Sequence, residues 1–280
     1  MITKVQIWVN IMVIAVFFLS GCGDGDPKSE TKPTAGNGKL QFRANGEDFV
    51  RQGFVSKDRW QISFDRVYIN LADMTAYQTN PPFNPDTVKE ISVQEKIILP
   101  NPKTIDLAEG GENAEPILIA EIVDAPTGHY NALSWKMVKA KTGPAMGQTL
   151  VMGGKASKQG QTIDFVIKLD QEIEYRCGEF IGDQRKGILA KDGKAEIEAT
   201  FHFDHIFGDS DATANDPLNT GAIGFEPLAA LAKDGKLEVT MAQLQSALPA
   251  RTYQQLTQDI LPNLGHVGEG HCKSTPISKS

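Results

Sequence analysis

The sequence predicts a mainly β protein, an antiparallel β-sandwich or barrel-like domain carrying a small C-terminal α-helical segment. Two observations lead there. Segments such as "WQISFDRVYINLADMTAYQ", "PILIAEIVDAP", "HYNALSWKMVKAKT", "TIDFVIKLDQEIEYRC" and "KAEIEATFHFDHIF" alternate apolar and polar residues, the period of a half-buried strand. Turn-rich stretches ("PPFNP", "LPNP", "AEGGENAEP", "DAPTG", "MGGKASKQG", "AKDGK") separate them, a spacing that favours a sandwich or barrel over alternating β-α units.

In chain order, residues 1–21 read as a secretory signal: Lys4, an apolar run from Ile7 to Leu19 broken only by Asn10, then "LSGC". The apolar run is too short to span a bilayer comfortably. Residues 22–38 are rich in Gly, Pro, Ser, Thr and charge and read as a flexible tether. A β-domain is expected over 39–207. In it Ile62, Phe64, Val67, Ile69 and Leu71 form the inward row of one strand, with a slip of register near Arg66. Residues 208–272 form the helical segment, with helical spacing in Phe225-Leu228-Leu231, Met241-Leu244-Leu248 and Tyr253-Leu256-Ile260. Residues 273–280 are expected to be a disordered tail.

Charge narrows the function. The chain has 28 basic and 35 acidic residues, a net of −7. Losing residues 1–21 removes only Lys4 and makes the balance slightly more acidic. That argues against nucleic acid as a partner and suits a protein that gathers cations.

Several chemistries are missing. There is no G-x-S-x-G elbow, no Walker loop and no H-E-x-x-H. "FEPLAALAKDGKLEVTMAQL" has the rhythm of an EF-hand. With Gly235 at the sixth loop position, however, Ala230, Ala232 and Met241 occupy ligand positions where calcium needs oxygen, and only Asp234 remains. Thr240 is placed to cap the second helix. Asp164, Asp170, Glu172 and Glu174 read as solvated strand faces, and His129 as an edge residue.

The remaining histidines carry the chemistry. Four of five fall in two short windows, "FHFDHIFGD" (201–209) and "GHVGEGHC" (265–272). His202, His205, His266 and His271 are candidate ligands, with Asp204, Asp209 and Glu269 as oxygen ligands or partners of the imidazoles. Zinc or copper is the expected ion, since imidazole suits both and a ligating histidine usually gives its other N–H to an oxygen acceptor. In an extended strand His202 and Asp204 project together while Phe201 and Phe203 face the other way. His205 joins them only if the strand ends there. In an oxidising compartment Cys177 and Cys272 are expected to form a disulfide, and that bond would draw the two histidine windows together. The competing readings are a surface or adhesion-type protein with a purely structural histidine cluster, and a metal-dependent hydrolase.

The segment "LSGC" resembles the lipobox of bacterial lipoproteins. The resemblance implies acylation at Cys22 and a lipid-anchored, periplasm-facing protein of the bacterial cell envelope. Gly23 after the cysteine leans towards the outer membrane, and a metal-transport or other envelope protein becomes the expected partner. The combination of "DRWQISFDRVYINL", "HFDHIFGD", an EF-shaped helix pair and "LGHVGEGHC" resembles a group of secreted bacterial proteins without established activity. These carry H-x-D-H-x-F-x-D and a terminal Gly-His and Gly-Glu-Gly-His-Cys motif. The first strand is also similar to that of copper-repressible and methanobactin-associated copper proteins, which use His and a modified Trp; Trp60 and Trp135 are available beyond the expected signal.

Overall fold

The computed structural model describes residues 36–277, so Cys22, the expected signal and the expected tether up to residue 35 lie outside the described residues, while Asn37 and Gly38, expected in the tether, already belong to the first strand. The chain runs β1 (Asn37–Asn45), α1 (Glu47–Gln52), β2 (Phe54–Val55), β3 (Gln61–Thr79), β4 (Val93–Leu99), β5 (Lys103–Asp106) and β6 (Ile117–Pro126). β7 (Gly128–Met137), β8 (Leu150–Lys158), β9 (Gln161–Leu169), β10 (Ile173–Cys177), β11 (Ile188–Leu189) and β12 (Lys194–Phe201) follow. The C-terminal part holds α2 (Asp204–Phe207), α3 (Pro217–Gly221), α4 (Glu226–Ala229), β13 (Lys236–Thr240), α5 (Met241–Ala247) and α6 (Ala250–Gln254). A π-helical turn (Gln255–Ile260) and a 3-10 turn (Leu261–Asn263) lead into the hairpin β14 (Gly265–Val267) and β15 (Gly270–Pro276).

The protein is mainly β, as expected. The strands form one mixed, sandwich-like sheet with the order β13-β9-β8-β3-β7-β10-β15-β14-β12-β1-β6, and β2, β4, β5 and β11 pair at the side of this path. It is not wholly antiparallel: β1 runs parallel to β12, and β13 parallel to β9. The long β3 serves two neighbours. Its first half pairs with β8, with a bulge between Phe64 and Arg66, and its second half pairs with β7. Pairing with β7 slips between Ala72 and Thr75, where Asp73 takes a φ of 50°. The expected inward row holds: Ile62, Val67, Ile69 and Leu71 are buried, and Phe64 packs partly buried against the core.

Three expectations are corrected. "MGGKASKQG" is not a turn throughout, because Met152 to Ser157 are strand and only Gln159-Gly160 turn, both at positive φ. Gly154 is glycine for a packing reason: a Cβ there would lie 2.0 Å from the Ser63 carbonyl oxygen of the neighbouring strand. The segment from 208 onward is not only helical, since it supplies β13, β14 and β15 to the sheet. Lys273–Pro276, expected in a tail, pair with β10. A strand at the end of a chain bonds a distant partner, so local sequence carries little sign of it. The EF-shaped region is α4, β13 and α5, with Thr240 and Gln243 forming a capping box on α5. β13 is a paired strand beside β9 rather than an ion loop.

β15 joins the two layers. Gly270 and His271 pair with β14, whereas Cys272 to Pro276 pair with β10. At the changeover Cys272 is bonded to Cys177, its register partner, with Cα atoms 4.2 Å apart. Beneath them Trp135 stacks on Tyr175 at 5.3 Å and meets Phe201 edge-on at 5.9 Å. Fully burying each such ring contributes roughly 1.5–3 kcal/mol. A second aromatic group gathers Phe64, Phe165, Phe203, Phe207 and Phe225, with Trp60 tilted against Phe225.

The disulfide closes a long loop, with a sequence separation of 95. Replacing both cysteines by serine is expected to lower unfolding stability by about 2–4 kcal/mol. Hydrogen exchange should then show β15 amides losing protection before β7 and β3. Urea denaturation with an unchanged midpoint would contradict the placement of this bond.

Candidate metal centre

The stretch "FHFDHIF" is divided by strand geometry. On β12, Ile197, Ala199 and Phe201 enter the core, while Glu196, Glu198 and Thr200 occupy the other face. His202 continues that polar face. The strand then stops. Phe203 and Phe207 are fully buried among the core aromatics and pin the one-turn helix α2, so Asp204 and His205 turn back beside His202. The condition for His205 to join is met. Candidate ligand atoms of His202, Asp204 and His205 all lie within 4.8 Å of one another. A tetrahedral ion with bonds of about 2 Å holds its ligands roughly 3.3 Å apart, so small side-chain rotations close the group.

The second window arrives through sheet register. Thr200 pairs with His266 across β12 and β14, and His266 pairs with His271 across β14 and β15. Paired residues share a face, as do residues two apart, which sets His266 beside His202. Their ring centroids are 4.2 Å apart; His205 lies 5.1 Å and His271 5.1 Å from His266. The hairpin turn is tight at Gly268, where φ is 59° and a Cβ would meet the Ile181 carbonyl oxygen at 1.9 Å, so no other residue fits.

Hydrogen bonds fix which nitrogens are free. His202 Nε2 lies 3.2 Å from the Gly268 carbonyl, His205 Nδ1 2.8 Å from the Asn263 carbonyl, and His266 Nε2 3.0 Å from the same Asn263 carbonyl. A carbonyl only accepts, so each of these nitrogens carries the hydrogen. In the neutral rings three lone pairs remain: His202 Nδ1, His205 Nε2 and His266 Nδ1. The last is buried and has no hydrogen-bond partner among the described residues. Burial pushes His266 down to about 3, helped by repulsion from His202 and His205, and burial also lowers His205. Both rings are thereby kept neutral, the form that ligates a metal.

Glu47 and Asn263 were not singled out by sequence reasoning. Asn45 and Thr200 are partners in the parallel β1–β12 pair, so both strands end at one edge of the sheet. Glu47, two residues beyond, brings Oε2 to 3.4 Å from His202 Nδ1. Burial raises Glu47 to about 7; the His202 charge opposes this, and Asp204, Glu269 and Glu198 reinforce it. No local pattern marks Glu47, since only the strand pairing reveals it.

The other expected residues are placed as follows. Glu269 sits in the β14–β15 turn, its N–H donating to Ile181 O, near enough to act on Glu47. His271 is exposed. Together with His205, Pro217, Leu218, Asp259 and Ile260 it lines an open cleft of about 380 Å³. Asp209 serves its own loop instead, accepting from the Asp211 amide and exchanging hydrogen bonds with Asn219. Trp60 and Trp135 are both buried. Trp60 donates to Glu226 at 2.8 Å, and Trp135 lies against Tyr175. The carboxylates Asp164, Asp170 and Glu174 pair with Lys155, Lys139 and Arg176.

This donor set, imidazole nitrogens with carboxylate oxygens beside an open cleft, could hold a transition-metal ion. Comparison with family models, curated proteins and solved structures gives no match.

The buried His266 also predicts a pH dependence of the metal-free protein. Unfolded imidazole takes a proton near 6.5, whereas folded His266 does so only near 3. Below about 6.5 the unfolded state therefore binds more protons, and stability falls towards pH 3. Glu47 has the opposite sign: its contribution is present below about 4.5 and is lost as pH rises through about 7. Urea titrations of wild type and His266→Asn should show wild type losing its advantage between pH 6.5 and 3. Parallel pH curves for the two proteins would contradict this environment for His266.

Proposed function

We propose that the protein is a lipid-anchored, periplasm-facing lipoprotein of the bacterial cell envelope that binds zinc or copper. Storage, delivery or sensing for a metal-transport or other envelope partner is the role this implies. One observation carries the metal reading. Three imidazoles of one cluster each spend one N–H on a backbone carbonyl and leave the other nitrogen off the backbone, where it can take an ion. Purely structural histidines would use both nitrogens in hydrogen bonds, yet His266 Nδ1 is buried and unpaired. The acidic balance of the chain, a net of −7, agrees with a cation ligand. The anchor rests on the "LSGC" sequence and Cys22.

The cleft beside His205 and His271 supports a metal-dependent hydrolase as a second reading, because it leaves room for a water or substrate on the ion.

Titration of untagged protein with zinc and copper(II) tests the site. His202→Ala and His205→Ala should each weaken binding by at least about tenfold, the lower end for disturbing a metal's ligand shell. Unchanged affinity in both variants would end the reading. Zinc-dependent turnover of ester or phosphoester substrates, abolished in the same variants, would select the hydrolase.

For the anchor, Cys22→Ser is expected to release the protein from membranes into the soluble fraction. Continued partition into detergent would defeat it.

A further inference from the structure

Glu47 faces the one nitrogen of His202 that the backbone does not engage. His202 donates through Nε2 to Gly268, which leaves Nδ1 as its second site, and the Glu47 carboxylate oxygen stands 3.4 Å from it. A ring nitrogen and a carboxylate oxygen so placed are held together by a proton or by a metal ion between them. Other negative groups deepen the need for positive charge. Asp204, Glu269 and Glu198 all act on Glu47, and the Lys186 ammonium is shared by Glu196 and Glu198.

The backbone is shaped to bring this carboxylate in. Glu47 has a φ of 58°, in the left-handed region that a residue with a Cβ rarely adopts. Its N–H is held there by the Asn45 side-chain oxygen at 2.9 Å. Residues kept in such conformations cluster at ligand sites. An independent feature points to the same spot: His266, 3% exposed, leaves Nδ1 unpaired with its ring 4.2 Å from that of His202.

We propose that Glu47 is a ligand of the cation held by His202, and that its carboxylate makes the site selective for divalent ions, Zn²⁺ or Cu²⁺, over cuprous copper. This inference rests on the metal-binding function proposed above. An ion that displaces the proton burial favours on Glu47 meets two negative charges, those of Glu47 and Asp204, which a divalent ion neutralises and a monovalent ion leaves uncompensated at a half-buried site. Carboxylate oxygen is also a poor donor for Cu(I), which prefers thiolate and thioether sulfur. The two cysteines of the described residues are bonded to each other and supply no thiolate.

The test compares full-length wild type, Glu47→Gln and Glu47→Asp. Zinc is titrated in each, and Cu(I) under anaerobic conditions against a chromophoric competitor. Glu47→Gln should lose zinc affinity by at least about tenfold and keep its Cu(I) affinity. Glu47→Asp tolerates the left-handed backbone better and withdraws the charge by one methylene. It should lose zinc affinity in the same direction, and it decides the matter if the glutamine variant does not fold. Wild-type zinc affinity in either folded variant overturns the ligand role while leaving the metal site standing. Equal loss of both ions overturns it too, by showing a structural role. Failure of wild type to bind either ion overturns the metal function and this inference with it.

Discussion

One strand belongs to both layers of the sandwich, and the arrangement of the histidines depends on it. β15 gives its first two residues to β14 and the rest to β10, and the Cys177–Cys272 bond sits at the changeover. Successive residues of a strand point to opposite faces. The bond that carries Cys272 towards Cys177 therefore turns the preceding His271 the other way, to the face of His266. The strand order β15-β14-β12-β1 then carries that face across to His202 and, past the end of β1, to Glu47. Two parallel strands ending at one edge, with a hairpin folded beside them, bring together residues from the beginning, the last third and the end of the chain.

The polar face of β12 explains why such a cluster survives burial. Glu198 is 3% exposed but bonded to Lys186 and Asn45, and Thr200 Oγ1 accepts the Gly268 amide. Satisfied groups of this kind cost little. The imidazoles stop short of full satisfaction. The Asn263 carbonyl takes one N–H from His205 and one from His266, and His266 Nδ1 has no hydrogen-bond partner among the described residues. Three phenylalanines of the same nine-residue stretch, all fully buried, hold the ligands in place from the core side. Packing fixes direction here, and hydrogen bonds fix tautomer.

Much of this was legible in the sequence because it is local. Alternation marked the inward row of β3, including the slip near Arg66, and composition marked the two histidine windows. The disulfide followed from a pair of cysteines in an expected oxidising compartment, and it linked those windows as anticipated. What escaped depends on pairing between distant segments. Nothing near Glu47 distinguishes it from any glutamate after a strand, since its role comes from the parallel β1–β12 register. Lys273–Pro276 looked like a polar tail because a terminal strand need bury only part of its side chains. Asp209 looked like its neighbours in the motif, yet the turn after α2 commits it to Asn219 and Asp211.

X-ray absorption at the zinc edge of the zinc-loaded full-length protein measures the ligands themselves. The predicted spectrum has a first shell of nitrogen and oxygen at about 2.0–2.1 Å, no sulfur near 2.3 Å, and the outer-shell scattering of at least two imidazole rings. A shell of oxygen alone, without imidazole scattering, would contradict the assignment of the histidine cluster as the metal site.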